Sequence, residues 1–163
     1  MLVVIAQLII ANNPSVKPID VDASAINFLA GIGVPAPIID SLTQVAFADW
    51  MSLPHHFIAP VNQLEALNTE ELYRPWFDRR YLTVAGGLNG DPIALDLESL
   101  LMCFIFHDEM HPRENFLPDD FVLHTPHSYT DFWTGVANEP DFPVDAYDAE
   151  ERWGRPPRAN ARG

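Results

Sequence analysis

The sequence predicts an α+β fold in which an antiparallel sheet with a central β-meander carries helices packed mainly on one face. Three observations predict it. The stretch from Tyr81 to Asp108, YLTVAGGLNGDPIALDLESLLMCFIFHD, reads as three consecutive strands with turn residues between them. Asn89-Gly90-Asp91 supplies the φ > 0 positions that a tight hairpin needs. The apolar pattern then changes period: Ile93, Leu95 and Leu97 alternate with Ala94, Asp96 and Glu98, whereas Leu100 to Phe106 is apolar on both faces. Alternation marks a strand with one face on a core, and the unbroken run marks a central strand covered on both sides.

The elements around this meander follow in order. Met1 to Ala11, MLVVIAQLIIA, has no Lys or Arg before its apolar run and no small-x-small cleavage site after it, and it is too short to span a bilayer as a helix. It is expected to be a strand or helix covering an open face of the core. Asp22 is placed to cap a short helix through Ile26, Phe28 and Leu29 that Gly31 or Gly33 stops, and Pro37 suits the first turn of a second helix through Leu42 and Val45. Trp50 to Gln63 reads as irregular between Pro54 and Pro60, with a short strand over His55 to Ile58. Thr69 before Glu70 and Glu71 reads as a helix N-terminus that Pro75 ends.

Beyond the meander, Met110 to Asp120 reads as loop, Phe121 to His124 as a short strand, and Ser128 as the N-cap of an aromatic helix with Asp131 in a partial capping box. From Glu139 to Glu151 there are six acidic residues and no basic one, after which Arg152, Arg155, Arg158 and Arg162 follow among Gly, Pro and Ala. A helix over Ala146 to Trp153 is expected to dock through Tyr147 and Trp153. The domain organisation is thus a single α+β domain over 1–138 and an acidic, then Arg/Pro-rich extension over 139–163, partly disordered.

Composition limits the function. The chain has 163 residues, 48% of them apolar, which is enough for one sizeable core. Nine basic residues against 23 acidic ones give a formal charge of −14, so nucleic acids and anionic membranes are repelled and a basic protein is the favoured partner. The lone Cys103 sits in an apolar strand and excludes an intrachain disulfide, which suits a cytoplasmic location.

The meander also carries a resemblance. Leu82-Thr83-Val84-Ala85-Gly86, then Asn89-Gly90-Asp91, Ile93-Ala94-Leu95-Asp96 and His107-Asp108 follow one another as an apolar strand, a turn closing on Gly-Asp, an I-x-L-D strand and an apolar strand ending near His-Asp. Ser128-Tyr129-Thr130-Asp131-Phe132-Trp133 adds an aromatic helix opened by Ser, and Gly33-Val34-Pro35 adds a looser likeness after Phe28-Leu29. In these segments the chain resembles the SUKH superfamily. The resemblance implies a fold and a style of function without catalysis: an immunity-type protein that sequesters a toxin, commonly a nuclease, or a regulatory scaffold of the same fold. The loop from Glu109 to Asp120 and the tail after Glu139 have no counterpart in that pattern.

Catalytic constellations are incomplete. His107, Glu109 and His111 resemble a metal-binding group, yet they follow a strand, precede Pro112 and do not form H-E-x-x-H. His107-Asp108-Glu109 contains the H-x-E fragment of zinc deaminases but lacks the downstream P-C-x-x-C. His55-His56 and His124/His127 have no third group fixed beside them, Cys103 has apolar neighbours, and Gly86 to Gly90 has neither the Lys nor the helix of a phosphate cradle. No cofactor or metal is expected, and no enzymatic activity; a small metal- or histidine-dependent hydrolase is the alternative from another class. A basic, nuclease-type toxin is an acidic inhibitor's natural complement. The residues assigned to its attraction are Asp108, Glu109, Asp119 and Asp120, placed near strand ends.

Overall fold

A computed structural model describes residues 4–109 and 117–155. Its centre is a six-stranded sheet in which neighbouring strands are consecutive in the chain and antiparallel: β1 (Met51–Ser52), β2 (His56–Ile58), β3 (Tyr81–Gly87), β4 (Pro92–Asp96), β5 (Leu101–Ile105) and β6 (Val122–Ser128). The helices are α1 (Val4–Asn12), α2 (Ala23–Gly31), α3 (Ala36–Thr43), α4 (Leu64–Thr69), α5 (Arg74–Phe77), α6 (Tyr129–Asn138) and α7 (Ala146–Trp153). The fold is α+β, with the predicted meander as β3, β4 and β5.

Local chemistry explains the two meander turns. Between β3 and β4, Gly90 takes φ +95°, where a Cβ would be strained, and Asn89 Oδ1 accepts the Asp91 N–H at 3.0 Å. Between β4 and β5, Asp96 accepts the Glu98 N–H at 2.8 Å and the Ser99 hydroxyl at 2.6 Å, while Leu100 takes the left-handed φ of +60°. Burial pulls the Asp96 carboxyl upward, but those bonds, with the Ser99 backbone N–H and the nearby His124, hold it below its usual range.

Two cores lie on opposite faces of the sheet. Ile93, Leu95, Met102, Phe104 and Leu123 point into the main one, which receives Ile5 and Ile9 of α1, Leu29 of α2, Leu64 of α4, Phe132 and Trp133 of α6, and Ala146 and Ala149 of α7. Ala94, Cys103, Ile105, Tyr81 and Val122 occupy the other face beneath Trp76 of α5. The face of β4 expected nearer to water is therefore covered at Ala94, because the Trp76 ring lies over it; Trp76 Nε1 donates to Pro118 O at 3.1 Å. A bulge between Thr83 and Ala85 interrupts the β3–β4 register. The buried Asn68 amide serves it: Oδ1 accepts the Thr83 N–H at 2.7 Å, and Nδ2 donates to the Thr83 and Leu64 carbonyls at 2.9 Å each.

Most predicted elements recur, and the exceptions have physical causes. The apolar N-terminal run is the helix α1, covering the main core. Pro37 sits in the first turn of α3, Ser128 caps α6 by accepting the Asp131 N–H at 3.3 Å, and α7 spans the predicted residues. Asp22 occupies the N-cap of α2 without a side-chain cap bond. Thr69 ends a helix rather than starting one: α4 must precede it so that Asn68 reaches the bulge, and Pro75 falls in the first turn of α5, where its missing N–H costs nothing. The segment read as irregular before Gln63 contains β1 as well as β2. Strand β6 runs through Pro126 to Ser128, which its edge position permits.

Sequence placed the end of the domain at residue 138, but Phe142, Ala146 and Ala149 beyond it belong to the main core. A Cβ on Gly135 of α6 would overlap the Phe142 ring, so α6 and the following segment are fitted to each other. The residues expected to be disordered beyond Arg155 lie outside the described residues, as do most of the loop from Met110 and the first three residues. Among the described residues no helix is long and apolar enough to cross a membrane.

Leu95 and Phe104 are fully buried in the main core, and replacing either by Ala is expected to cost about 2 to 5 kcal/mol in chemical denaturation; near-zero loss at both would overturn this register. His56 generates a second prediction. It is 3% exposed, packs against Phe132 and Trp133, and donates from Nε2 to Pro143 O at 3.1 Å. Burial pulls its pKa from 6.5 to about 4. The unfolded chain therefore binds the extra proton first: the stability is present above pH 6.5 and is lost as pH falls towards 4, by about 3 kcal/mol. Urea denaturation across that window should show the slope in the wild type, and His56→Gln, which keeps a donor for Pro143, should flatten it.

Candidate functional site

The exit of β5, the β3–β4 turn and the start of α7 meet at one carboxylate. Asp91 is fully buried and both of its oxygens are used: Oδ1 accepts the His107 backbone N–H at 3.1 Å and His107 Nδ1–H at 2.6 Å, while Oδ2 accepts Asn89 Nδ2 and the Ala146 N–H at 2.9 Å each. The sequence makes this local. Asp91 is the last residue before Pro92 of β4, His107 leaves β5 just after Phe106, and Ala146 is the first residue of α7. The bond from Nδ1 fixes the His107 proton on that nitrogen and turns Nε2 outward on a ring whose side chain is 38% exposed.

A rim of charged groups surrounds this hub. Asp108 Oδ1 accepts the Tyr147 hydroxyl at 3.1 Å, and the Tyr147 ring stands edge-on to Phe106 with centroids 5.2 Å apart. Desolvation, then the Asp108 bond and nearby carboxylates, push the Tyr147 phenol up to about 12, so it remains a neutral donor. The Arg155 guanidinium lies 3.8 Å from the Phe106 ring centroid and grips both Glu109 oxygens at 3.0 and 3.1 Å. It also donates to the Asp120 backbone oxygen at 3.1 Å and lies 3.9 Å from Glu150.

The structure thus brings Asp108 and Glu109 together around Tyr147 and Arg155, adds Asp120 through its backbone oxygen, and sets Asp119 apart. Asp119 pairs with Arg79 at 3.4 Å, both side chains half exposed. It also adds to the upward shift that burial gives the Tyr81 phenol. Glu109 is an internally compensated charge with a side chain 24% exposed, whereas the Asp108 side chain is 52% exposed. Sequence reasoning missed the Asp91 hub, and Tyr147 and Arg155 as partners of Asp108 and Glu109. Asp91 read only as a turn residue, and Arg155 as part of a tail; the available signal was a carboxylate directly before a strand that is followed by the wholly apolar run Leu101 to Phe106, a place where burial forces hydrogen bonding.

The other candidate clusters stay dispersed. His124 Nε2 lies 3.3 Å from Asp96 Oδ2 near the Tyr81 ring, His127 packs on Phe142 and Trp153, and His56 is held neutral inside the core. Burial pushes the Cys103 thiol far up, which removes it as a nucleophile. The glycine-rich turn spends its N–H groups internally: Gly87 on Asp91 O, Leu88 on Val144 O and Gly90 on Gly87 O. It therefore presents no phosphate cradle.

A metal reading needs a separate test. Asp91, His107 and Asp108 offer ligand atoms within 4.8 Å of one another, while His111, the other histidine of the sequence cluster, lies outside the described residues. A cation at this point would have to displace N–H donors from an Asp91 carboxylate that already accepts four hydrogen bonds, and two of those donors are backbone groups with no other acceptor among the described residues. The donor set fits a structural carboxylate better than a metal ligand. No family model matches the chain, and neither a curated protein nor a solved structure matches it.

Replacing Asp91 by Ala strands these donors and is expected to cost about 3 kcal/mol, read by denaturation. Metal analysis is expected to find no zinc retained through purification, and a chelator should leave the melting temperature unchanged; near-stoichiometric zinc lost on Asp91→Ala or His107→Ala would overturn the structural role.

Proposed function

We propose that this chain is a non-enzymatic binding protein that sequesters a basic protein partner, in the manner of an immunity protein against a nuclease-type toxin. The observation that carries it is electrostatic: a formal charge of −14, with carboxylates arranged at strand ends on a rigid frame. Asp108 and Asp120 stand beside the Arg155 to Glu109 clasp, Asp119 stands beyond them, and Glu139, Asp141, Asp148 and Glu151 follow around α7. A nuclease needs cationic surface to hold a polyanion, so an acidic inhibitor gains steered encounter and charge-complementary contacts against it.

The resemblance of the segment from Leu82 to Trp133 to the SUKH superfamily supports the same reading. So does the chemistry of His56, His107, His124, Asp91, Asp96 and Cys103, which are engaged in packing or internal bonding rather than set around a substrate space. The same net charge disfavours nucleic acid and anionic membranes as partners. No cofactor is required by this reading, and its working place is the cytoplasm, where a lone buried thiol stays reduced.

Affinity capture from the producing cell with the intact chain as bait tests it. A protein rich in Lys and Arg should be retained at low salt and released as salt rises. With that protein in hand, stopped-flow mixing should show association slowed about tenfold by Asp108→Asn, Glu109→Gln, Asp119→Asn and Asp120→Asn together, with little change in dissociation. Because Glu109→Gln also opens the Arg155 clasp, the pair Asp108→Asn and Asp120→Asn is the cleaner probe of steering. Equal rates and equal salt slopes would move the steering surface to the acidic residues around α7, and failure to retain any basic protein would overturn the function.

A further inference from the structure

Beyond the cover of Trp76, the described residues leave the second face of the sheet open at its β2 end. Phe57 of β2 pairs with Gly86 of β3, and Gly86 with Pro92 of β4. His56, one residue earlier, points the opposite way into Phe132 and Trp133, so Phe57 and Gly86 face outward. Trp50, Phe57, Tyr73 and Leu88 wall a groove of about 400 Å³ here, with Gly86 in its floor. Trp50 and Phe57 are each 38% exposed and Leu88 is 55% exposed, so large apolar surface faces water on an otherwise strongly charged protein.

The two adjacent glycines of β3 differ in a way that bears on this groove. At Gly87 a Cβ would stand 2.6 Å from Val144 O, so glycine is required by packing. At Gly86 a Cβ would meet only Asp91 O at 3.9 Å and the Trp50 ring at 4.0 Å, both ordinary contacts, and its φ lies outside the left-handed region. Neither backbone conformation nor internal packing asks for glycine at 86, and glycine within a strand is destabilising. Its effect is to keep the floor of the groove clear for an incoming chain.

We propose that this groove docks an extended segment of the basic partner, seating a large apolar or aromatic side chain over Gly86 with a Lys or Arg beside it. The inference rests on the reading of the chain as a binding protein and names the surface that grips. Charge selects the occupant. There is no Lys or Arg between Lys17 and Arg74, and the exposed Asp49, Glu70 and Glu71 flank Trp50 and Tyr73. The Glu70 charge, after burial, raises the Tyr73 phenol, which places that carboxylate by the groove wall. Arg74, the nearest cation in sequence, lies 3.8 Å from Asp78. A second copy of this chain or an anionic lipid surface would bring like charge to this rim, whereas a cationic segment is drawn to it.

Heteronuclear NMR of the isotope-labelled full chain, titrated with a short synthetic peptide of Trp, Lys and Arg spaced by Gly and Ser, tests the groove without the cellular partner. Shift changes should gather on the Trp50 indole and the Gly86 and Leu88 amides. Peptides with Ala for Trp, or Glu for Lys and Arg, should bind about tenfold more weakly or worse. Gly86→Val should weaken the Trp peptide at least about tenfold while its melting temperature stays level or rises, because a β-branched residue favours the strand. Trp50→Ala, at a position that is not core, provides the second variant. Unchanged peptide affinity in both variants, or shifts spread over the acidic surface and kept by the Ala peptide, would overturn the groove. A captured basic protein that binds Gly86→Val as tightly as wild type would likewise sink the groove while leaving the basic-partner reading in place.

Discussion

The buried Asp91 carboxylate is the interaction on which the arrangement of this protein turns. A carboxylate without water is tolerated only when donors replace its hydration, and Asp91 gathers four from three places in the chain: its own turn, the residue leaving β5 and the first residue of α7. Leu88 N–H to Val144 O at 2.9 Å and His56 Nε2 to Pro143 O at 3.1 Å add two more bonds to the same stretch. The segment from Pro143 to Ala146 is thereby held to the β3–β4 turn and to β2, with Phe142 and Ala146 buried on either side. That docking carries α7 onto the sheet, and it brings Tyr147 to Asp108 and Arg155 to Glu109. Loss of the hub would therefore disturb both the core and the acidic rim.

A second buried polar residue plays a matching part on β3. The Asn68 amide gives α4 a fixed height against the bulge and satisfies the backbone of Thr83 in both directions. The bulge lets Val84 and Ala85 both belong to the main core, while Tyr81 joins the cluster on the other face. Among the described residues, α5 with its Trp76 and the turn at Pro118 that it bonds to cover that other face, and the Phe57 and Gly86 end is left bare. The open groove is thus a consequence of how few residues the fold spends on its second side.

What the sequence made legible is what depends on neighbours in the chain. The turn at Asn89-Gly90-Asp91, the core-facing Ile93 and Leu95 of β4, the Ser128 cap and the extent of α7 follow from backbone preference and apolar period, and each recurs in the structure, although the second face of β4 is buried as well. What stayed hidden depends on partners far along the chain. Thr69 followed by two glutamates has the local signature of a helix start, but Asn68 is needed by a strand that begins later, so the helix lies before it. The strand expected over Phe121 to His124 runs on through Pro126 to Ser128, because among the described residues no strand pairs with the outer side of β6. The acidic stretch after Glu139 has the composition of a solvated tail; Phe142, Ala146 and Ala149 are too few to outweigh it in composition, yet they are what the core receives. Of the four acids assigned to a partner, Asp108 and Glu109 adjoin at the exit of β5, and the distant Arg155, which also bonds the Asp120 backbone, shows why Glu109 is held there.

This pairing divides the work of recognition by distance. A salt bridge such as Glu109 to Arg155 cancels field locally but leaves the net charge of −14 untouched, so long-range attraction for a cationic body is set by the whole molecule. Within a Debye length of roughly 8 to 10 Å the balance changes, because individual uncompensated groups such as Asp108 and the rim carboxylates beside Trp50 and Tyr73 then act singly. Charge alone discriminates poorly among basic proteins, since any of them is attracted. Shape does the rest: a groove with aromatic walls and a glycine floor accepts an apolar side chain of particular size and rejects a segment that has only cations to offer. On the proposed reading, long-range charge would gather basic partners quickly and the groove would hold the one whose side chain fits.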